Sequence, residues 1–176
     1  MFILYGVLAG LIAGAILGGR AAGLAELRIR LAPLALLALA VQLVLFSPLA
    51  DPLPAEAGRA IYVASTALVG LVVLANLRVA GMPLVALGAG LNLAAIVANG
   101  GSMPASPAAL AALGMGVGGR TNSVVVERPA LEPLTDVFAL PNWLPLANVF
   151  SVGDVLIAIG VAVAIAAAMR RRPASP

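Results

Sequence analysis

Asp136 and Asp154 are the residues of this chain best suited by type to chemistry, each set in an otherwise apolar stretch. Two carboxylates can divide general acid and general base work between them. The remaining parts of most catalytic sites are missing. The chain has no Cys and no His, and all ten basic residues are Arg. Thiolate nucleophiles, disulfides, His/Cys zinc sites, Ser-His dyads and Lys Schiff bases are therefore excluded. The Tyr-Asp and Gly-x-Gly-Asp pattern of intramembrane aspartyl proteases is absent. Asp154 also has a plain structural role open to it, in Ser151-Val152-Gly153-Asp154, which is a helix-start signature. There Ser151 can cap and Asp154 can face the positive end of the helix dipole. The expectation is a non-enzyme with no cofactor and no metal.

A second polar group consists of Gln42, Ser65, Thr66 and Asn92, all inside long apolar runs. A rise of about 1.5 Å per helical residue puts Gln42 and Asn92 near mid-depth and Ser65 and Thr66 further out. Such groups must find partners in an apolar medium, so they are expected to face one another. Two readings stay open: simple interhelical hydrogen bonding, or a polar pocket reaching the outer mouth. No Asp, Glu or Arg lies deep in a run, which argues against a proton-driven transporter.

The elements that would hold these residues follow from composition. The chain is 62% hydrophobic and 10% charged, whereas a soluble domain has about a quarter of its residues charged. It cannot cover a water-facing surface, so lipid is the expected solvent. Five apolar stretches stand out: Phe2 to Gly19, Ile29 to Ala50, Ala60 to Leu77, Met82 to Ala98 and Val152 to Met169. Each has the length needed to cross a hydrocarbon core of roughly 30 Å as a helix. Pro33 and Pro83 suit first-turn positions. The first stretch has no basic leader and its first charge, Arg20, follows it. It therefore reads as a retained helix rather than a secretory signal.

With the N-terminus outside, Arg20, Arg28, Arg30, Arg78 and Arg170 to Arg172 fall inside, and only Arg59, Arg120 and Arg128 fall outside. The positive-inside rule thus gives N-out, C-in with five crossings of the bacterial cytoplasmic membrane. Arg170 to Arg172 read as a stop-transfer anchor at anionic headgroups. No basic stripe with interleaved aromatics is present, so nucleic acid is not an expected partner.

The segment from Asn99 to Phe150 is far longer than the other connections, and loops of that length are functional or disordered. This one is too apolar for disorder, so it is expected to cap the bundle on the outer face. Asn99-Gly100-Gly101 can end helix four by a left-handed cap. Met103 would plug the bundle, Pro104 and Pro107 stiffen the turn, and Ser106 cap a short surface helix ending at Gly114. GMGVGG, from Gly114, reads as a flexible joint and SVVV, from Ser123, as one extended piece. Phe138, Trp143 and Phe150 suit a membrane–water interface. The GMGVGG glycines neither follow a strand nor open a helix, which argues against a phosphate loop. Gly6, Gly10, Gly14 and Gly18 recur every four residues and make one close-packing stripe on helix one. That stripe can serve a neighbouring helix of the same chain, a second copy or a partner protein.

These residues resemble a family of small bacterial membrane proteins known as domain of unknown function family 5317. The resemblance spans nearly the whole chain. It rests on Gly18-Gly19-Arg20, Gln42, Asn76-Leu77-Arg78, Gly88, Asn92, the NGG-x-MP of Asn99 to Pro104, and the FSVGD of Phe150 to Asp154. It implies an integral membrane protein without an established activity.

The reading is a single all-α membrane domain over 1–176, with five transmembrane helices and an extracytoplasmic cap over 99–150. Its expected function is non-catalytic: a partner- or apolar-ligand-binding component of a membrane assembly. The alternative is a small transporter or channel-like protein using the polar layer around Gln42 and Asn92. Candidate ligand or partner residues are Gln42, Asn92, Asn99, Gly100, Gly101, Met103, Pro104, Ser151 and Asp154. Gly6, Gly10, Gly14 and Gly18 are the packing candidates, and lipid, with a possible partner or second copy on helix one, is the expected company.

Overall fold

A computed structural model describes residues 2–114 and 123–171. The chain is mostly helical. Its main elements are α1 (Ile3–Ile16), α2 (Ala32–Leu45), α3 (Ala55–Leu74), α4 (Met82–Ala98), the short α5 (Pro107–Ala112) and α6 (Val152–Met169). Two of these, α3 with 20 residues and α6 with 18, are long and apolar enough to cross a membrane. At about 1.5 Å per residue they measure roughly 30 and 27 Å. Helices α1 and α2, with 14 residues each, are shorter than their apolar runs suggested, while α4 has the 17 residues of its run.

The backbone explains the shortfall. The run from Phe2 to Gly19 stops at Ile16 because Gly18 turns the chain at φ +73°. The run from Ile29 to Ala50 starts late, after Leu31 in the left-handed region, and ends at Leu45, followed by a 3₁₀ turn at Pro48–Ala50. Proline cannot continue that hydrogen-bond ladder. Helix α3 instead starts early, directly after Pro54, and ends before Asn76. Helices α4 and α6 match their expected bounds, and Pro33 and Pro83 do occupy first turns.

The helices form an open series. Helix α1 packs on α6, α6 on α4, α4 on α3 and α3 on α2. The first two run parallel, since Gly6 faces Ala158 and Gly10 faces Ala162. The α4–α6 pair is antiparallel, with Gly88 against Gly153 and Gly81 against Gly160. Helix α6 fits between α1 and α4 because both its faces carry small residues. A Cβ at Gly10 would lie 2.8 Å from the Ala162 Cα, so only glycine permits this approach. The stripe of Gly6, Gly10 and Gly14 is thus taken up inside the chain. Gly18 is not part of it: it lies past the helix, with nothing within 4 Å of its would-be side chain.

Helices α1, α3 and α6 begin, and α2 and α4 end, at the same end of the series, where the described residues of the segment 99–150 pack. Met103 is buried against Tyr62, Ala95 and Ile96, as a plug would be. The segment is not wholly irregular or helical. Strand β1 (Met103–Pro104) pairs in parallel with β2 (Ser123–Val124), and β3 (Phe138–Ala139) pairs antiparallel with β4 (Val149–Phe150). The SVVV piece therefore begins as a strand, so the expected all-α class becomes mostly helical. Ser106 does precede α5, but its hydroxyl makes no capping bond. The GMGVGG joint, past Gly114, and Arg120 and Arg172 lie outside the described residues.

Candidate cavity between the end helices

Gln42, Asn92, Asp154 and Asp136 line one cavity of about 450 Å³. All five long helices and described residues of the segment 99–150 contribute to it. Helix α2 supplies Leu39, Gln42, Leu43 and Phe46; α4 supplies Asn92 and Ile96; α6 supplies Asp154. Tyr62 comes from α3, Ile3 and the preceding Phe2 from the α1 end, and Met103, Asp136, Asn148 and Val149 from the cap. The cavity lies between the two end members of the helix series, α1 and α2, which make no extensive contact with each other.

Its polar side is fixed by two hydrogen-bond groups. In the first, Asn92 joins α4 to the capping box of α6. The Asn92 Nδ2 donates to Asp154 Oδ1 at 2.8 Å, and Ser151 Oγ donates to Asn92 Oδ1 at 2.8 Å. Ser151 N donates to Asp154 Oδ2 at 3.2 Å, and Asp154 N donates back to Ser151 Oγ at 3.0 Å. Asn92, Ser151 and Asp154 thus close a ring. In the second, Gln42 Nε2 donates to Ser65 Oγ and Thr66 Oγ1, both at 3.2 Å. Ser65 Oγ passes a bond on to the Tyr62 carbonyl at 3.0 Å. Gln42 and Asn92 do not bond each other. They face the same space from different helices.

Asp136 is buried, and its backbone is held on both sides: its N–H reaches Pro104 O at 2.9 Å and its carbonyl accepts from Ser106 N at 3.0 Å. The two aspartates therefore do line one space.

Aromatic rings close the rim. Phe2 stacks on Phe150 with centroids 4.2 Å apart, and Phe150 on Phe138 at 5.4 Å. Tyr5 Oη donates to the Pro145 carbonyl, tying α1 to the cap. On the α2 side Phe46 meets Tyr62 of α3 edge-on at 5.2 Å. Trp143 stays 77% exposed and takes no part.

Of the other candidate residues, Met103 lines the cavity and Ser151 lies fully buried behind it. Pro104 is buried in the β1 pairing, away from the cavity. Asn99 is a clamp: its Nδ2 donates to the Ala130 carbonyl at 2.8 Å, and Ala130 N donates to its Oδ1 at 2.9 Å. Gly100 and Gly101 turn the chain at φ +67° and +86° and line shallower grooves beside Arg59. The tight turn here is structural, as positive φ at successive glycines allows. Sequence reasoning missed Tyr62, Phe46, Phe2 and Asn148 as lining residues. Tyr62 carried a usable signal, being a polar-tipped aromatic one turn before Ser65 and Thr66.

The chain belongs to a family of unknown function (DUF5317), whose profile matches residues 26–166. Gln42, Asn92 and Asp154 lie within the match, and Gly18-Gly19-Arg20 lies before it. No curated protein and no solved structure matches the chain.

Proposed function

We propose that this chain is a non-catalytic, multi-pass membrane protein that binds an amphipathic small molecule in the cavity between α1 and α2. The observation that carries the reading is the cavity's two-sided chemistry. Gln42, Asn92 and Asp154 make one polar wall, while Ile3, Leu39, Leu43 and Phe46 make apolar jaws on helices that do not close on each other. A volume of about 450 Å³ suits a small-molecule site, which spans roughly 300–1,000 Å³.

Five crossings and an N-out orientation form part of the proposal. Low burial supports the membrane reading: 22% of the apolar window of α3 and 33% of that of α6 is buried within the chain. A core helix of a water-soluble domain would be mostly covered. Leu8 and Ile12 on α1 and Leu36 and Leu43 on α2 are more than half exposed. Leucines in that number need an apolar surrounding, which lipid supplies. In this setting the gap between α1 and α2 faces the bilayer sideways, and a ligand reaches the polar wall without passing through water.

The test is purification from the native membrane in a mild neutral detergent, followed by native mass spectrometry. A retained amphipathic molecule is expected, and Leu43→Trp, which fills the jaw, should release it at unchanged helical content. A chain that an alkaline wash strips from the membrane, or one that carries nothing in either form, would refute the reading.

A further inference from the structure

We infer that the cavity selects an amphiphile with a protonated amine head, held by Asp154, and an alkyl chain lying between α1 and α2. This rests on the binding role proposed above and names the ligand's chemical class.

The inference starts from which hydrogen-bonding capacity the polar wall has left. The Asp154 carboxylate receives Asn92 Nδ2 and Ser151 N, both neutral donors. A carboxylate offers about four lone-pair positions, so two bonds leave it able to accept more. Gln42 spends its amide nitrogen on Ser65 and Thr66. Its carbonyl oxygen accepts no bond among the described residues and remains an acceptor on the cavity side. Asn92 has one amide N–H engaged with Asp154 and its oxygen engaged with Ser151. Asp154 and Gln42 thus keep acceptor positions that an occupant with a donating head can use.

Charge narrows the choice further. Asp154 brings a carboxylate to the wall, and none of the described lining residues is basic. An ammonium group within contact distance of Asp154 gains a charge-assisted bond, in a space where apolar walls weaken screening. A carboxylate or phosphate head would meet like charge instead. A hydroxyl head would donate but gain no ionic term. The apolar part follows from the jaws: Ile3, Leu39, Leu43 and Phe46 offer carbon to an alkyl chain and nothing to a second polar group.

Three single-chain probes of one length separate these cases: dodecylamine, dodecanol and dodecanoate, each added to the full chain in neutral detergent. The readouts are adduct count in native mass spectra and rise in thermal midpoint. Dodecylamine is expected to bind roughly tenfold more tightly than dodecanol, with dodecanoate not binding. Asp154→Asn should remove the preference for the amine while leaving dodecanol binding in place. Gln42→Glu supplies a second route should Asp154→Asn fail to fold. Ser65 and Thr66 can donate to the new carboxylate, and amine affinity should rise. Equal binding of dodecylamine and dodecanol, or no gain in Gln42→Glu, overturns the amine assignment while the amphiphile site stands. Absence of binding by all three probes overturns the site itself. Phosphatidylethanolamine displacing dodecylamine would identify the amine source as a membrane lipid, and failure to displace it would identify a single-chain amine.

Discussion

Asn92 contributes to the fold and to the cavity at the same time. Its amide ties α4 to the start of α6 and also orients the Asp154 carboxylate. Asn92→Leu keeps the volume but leaves the hydroxyl hydrogen of the fully buried Ser151 without its acceptor, and removes a donor from Asp154. An unsatisfied buried group costs about 1–3 kcal/mol. The variant is expected to unfold at a clearly lower temperature, followed by circular dichroism in detergent, and to lose dodecylamine binding. An unchanged midpoint would mean the ring does not stabilise the α4–α6 contact. Asn76 and Asn99 permit a cleaner comparison, because each clamps one distant residue by both backbone groups. Asn76 holds Arg30 at 2.8 and 2.9 Å, and Asn99 holds Ala130 at 2.8 and 2.9 Å. Asn76 is only 4% exposed, whereas the Asn99 bonds to Ala130 are open to solvent. Loss of a buried pair leaves its backbone partners without water. Asn76→Leu should therefore lower the midpoint more than Asn99→Leu; the reverse order would show that burial is not what gives the clamp its strength.

Helix–helix contact here depends on glycine placement, and neighbouring glycines differ sharply. A Cβ at Gly88 would run into the Gly153 carbonyl and Ile157, whereas nothing lies within 4 Å of one at Gly90. Gly90→Ala should be neutral or stabilise by up to about 1 kcal/mol, through helix propensity. Gly88→Ala must push α4 off α6 and lower the thermal midpoint. Equal effects at both positions would refute the packing described here. The sequence made α4 and α6 legible because both ends carry hard signals: Pro83 in a first turn, Ser151 and Asp154 in a capping box, and Asn99-Gly100-Gly101 at a stop. It misjudged α1 and α2 because composition stays apolar past their ends, through Leu17 and through Phe46 to Ala50. The backbone there is decided by Gly18 and Pro48 instead. Depth along a helix grouped Gln42 with Asn92 and set Ser65 and Thr66 further out, yet it is Ser65 and Thr66 that Gln42 bonds. Rotation around the bundle was not legible. Asn92 and Gln42 stand at similar heights, yet Asn92 turns to α6 because α4 sits between α6 and α3 in the series.

At the scale of the whole molecule, the open series of helices sets how a ligand gets in. A closed ring of five helices would bury the Gln42 and Asn92 side of the cavity completely. This chain leaves α1 and α2 without extensive contact, with the cavity between them. Under the proposed membrane reading, uptake then requires those two helices to stay apart or to separate further. The chain contains no cysteine, so a single engineered pair can report on this motion without interference. Ile3→Cys with Leu43→Cys places one thiol on each jaw, both beside the cavity. Joining them with a short bis-maleimide should stop dodecylamine from entering an empty protein. Joining them after loading should trap the probe through repeated washing. The same double variant left uncrosslinked sets the baseline for loading and release, which separates closure from damage to the jaws. Unhindered exchange in the crosslinked protein would mean that the ligand passes through the cap instead, between Met103 and Asn148. The lateral path would then be wrong even with the binding cavity intact.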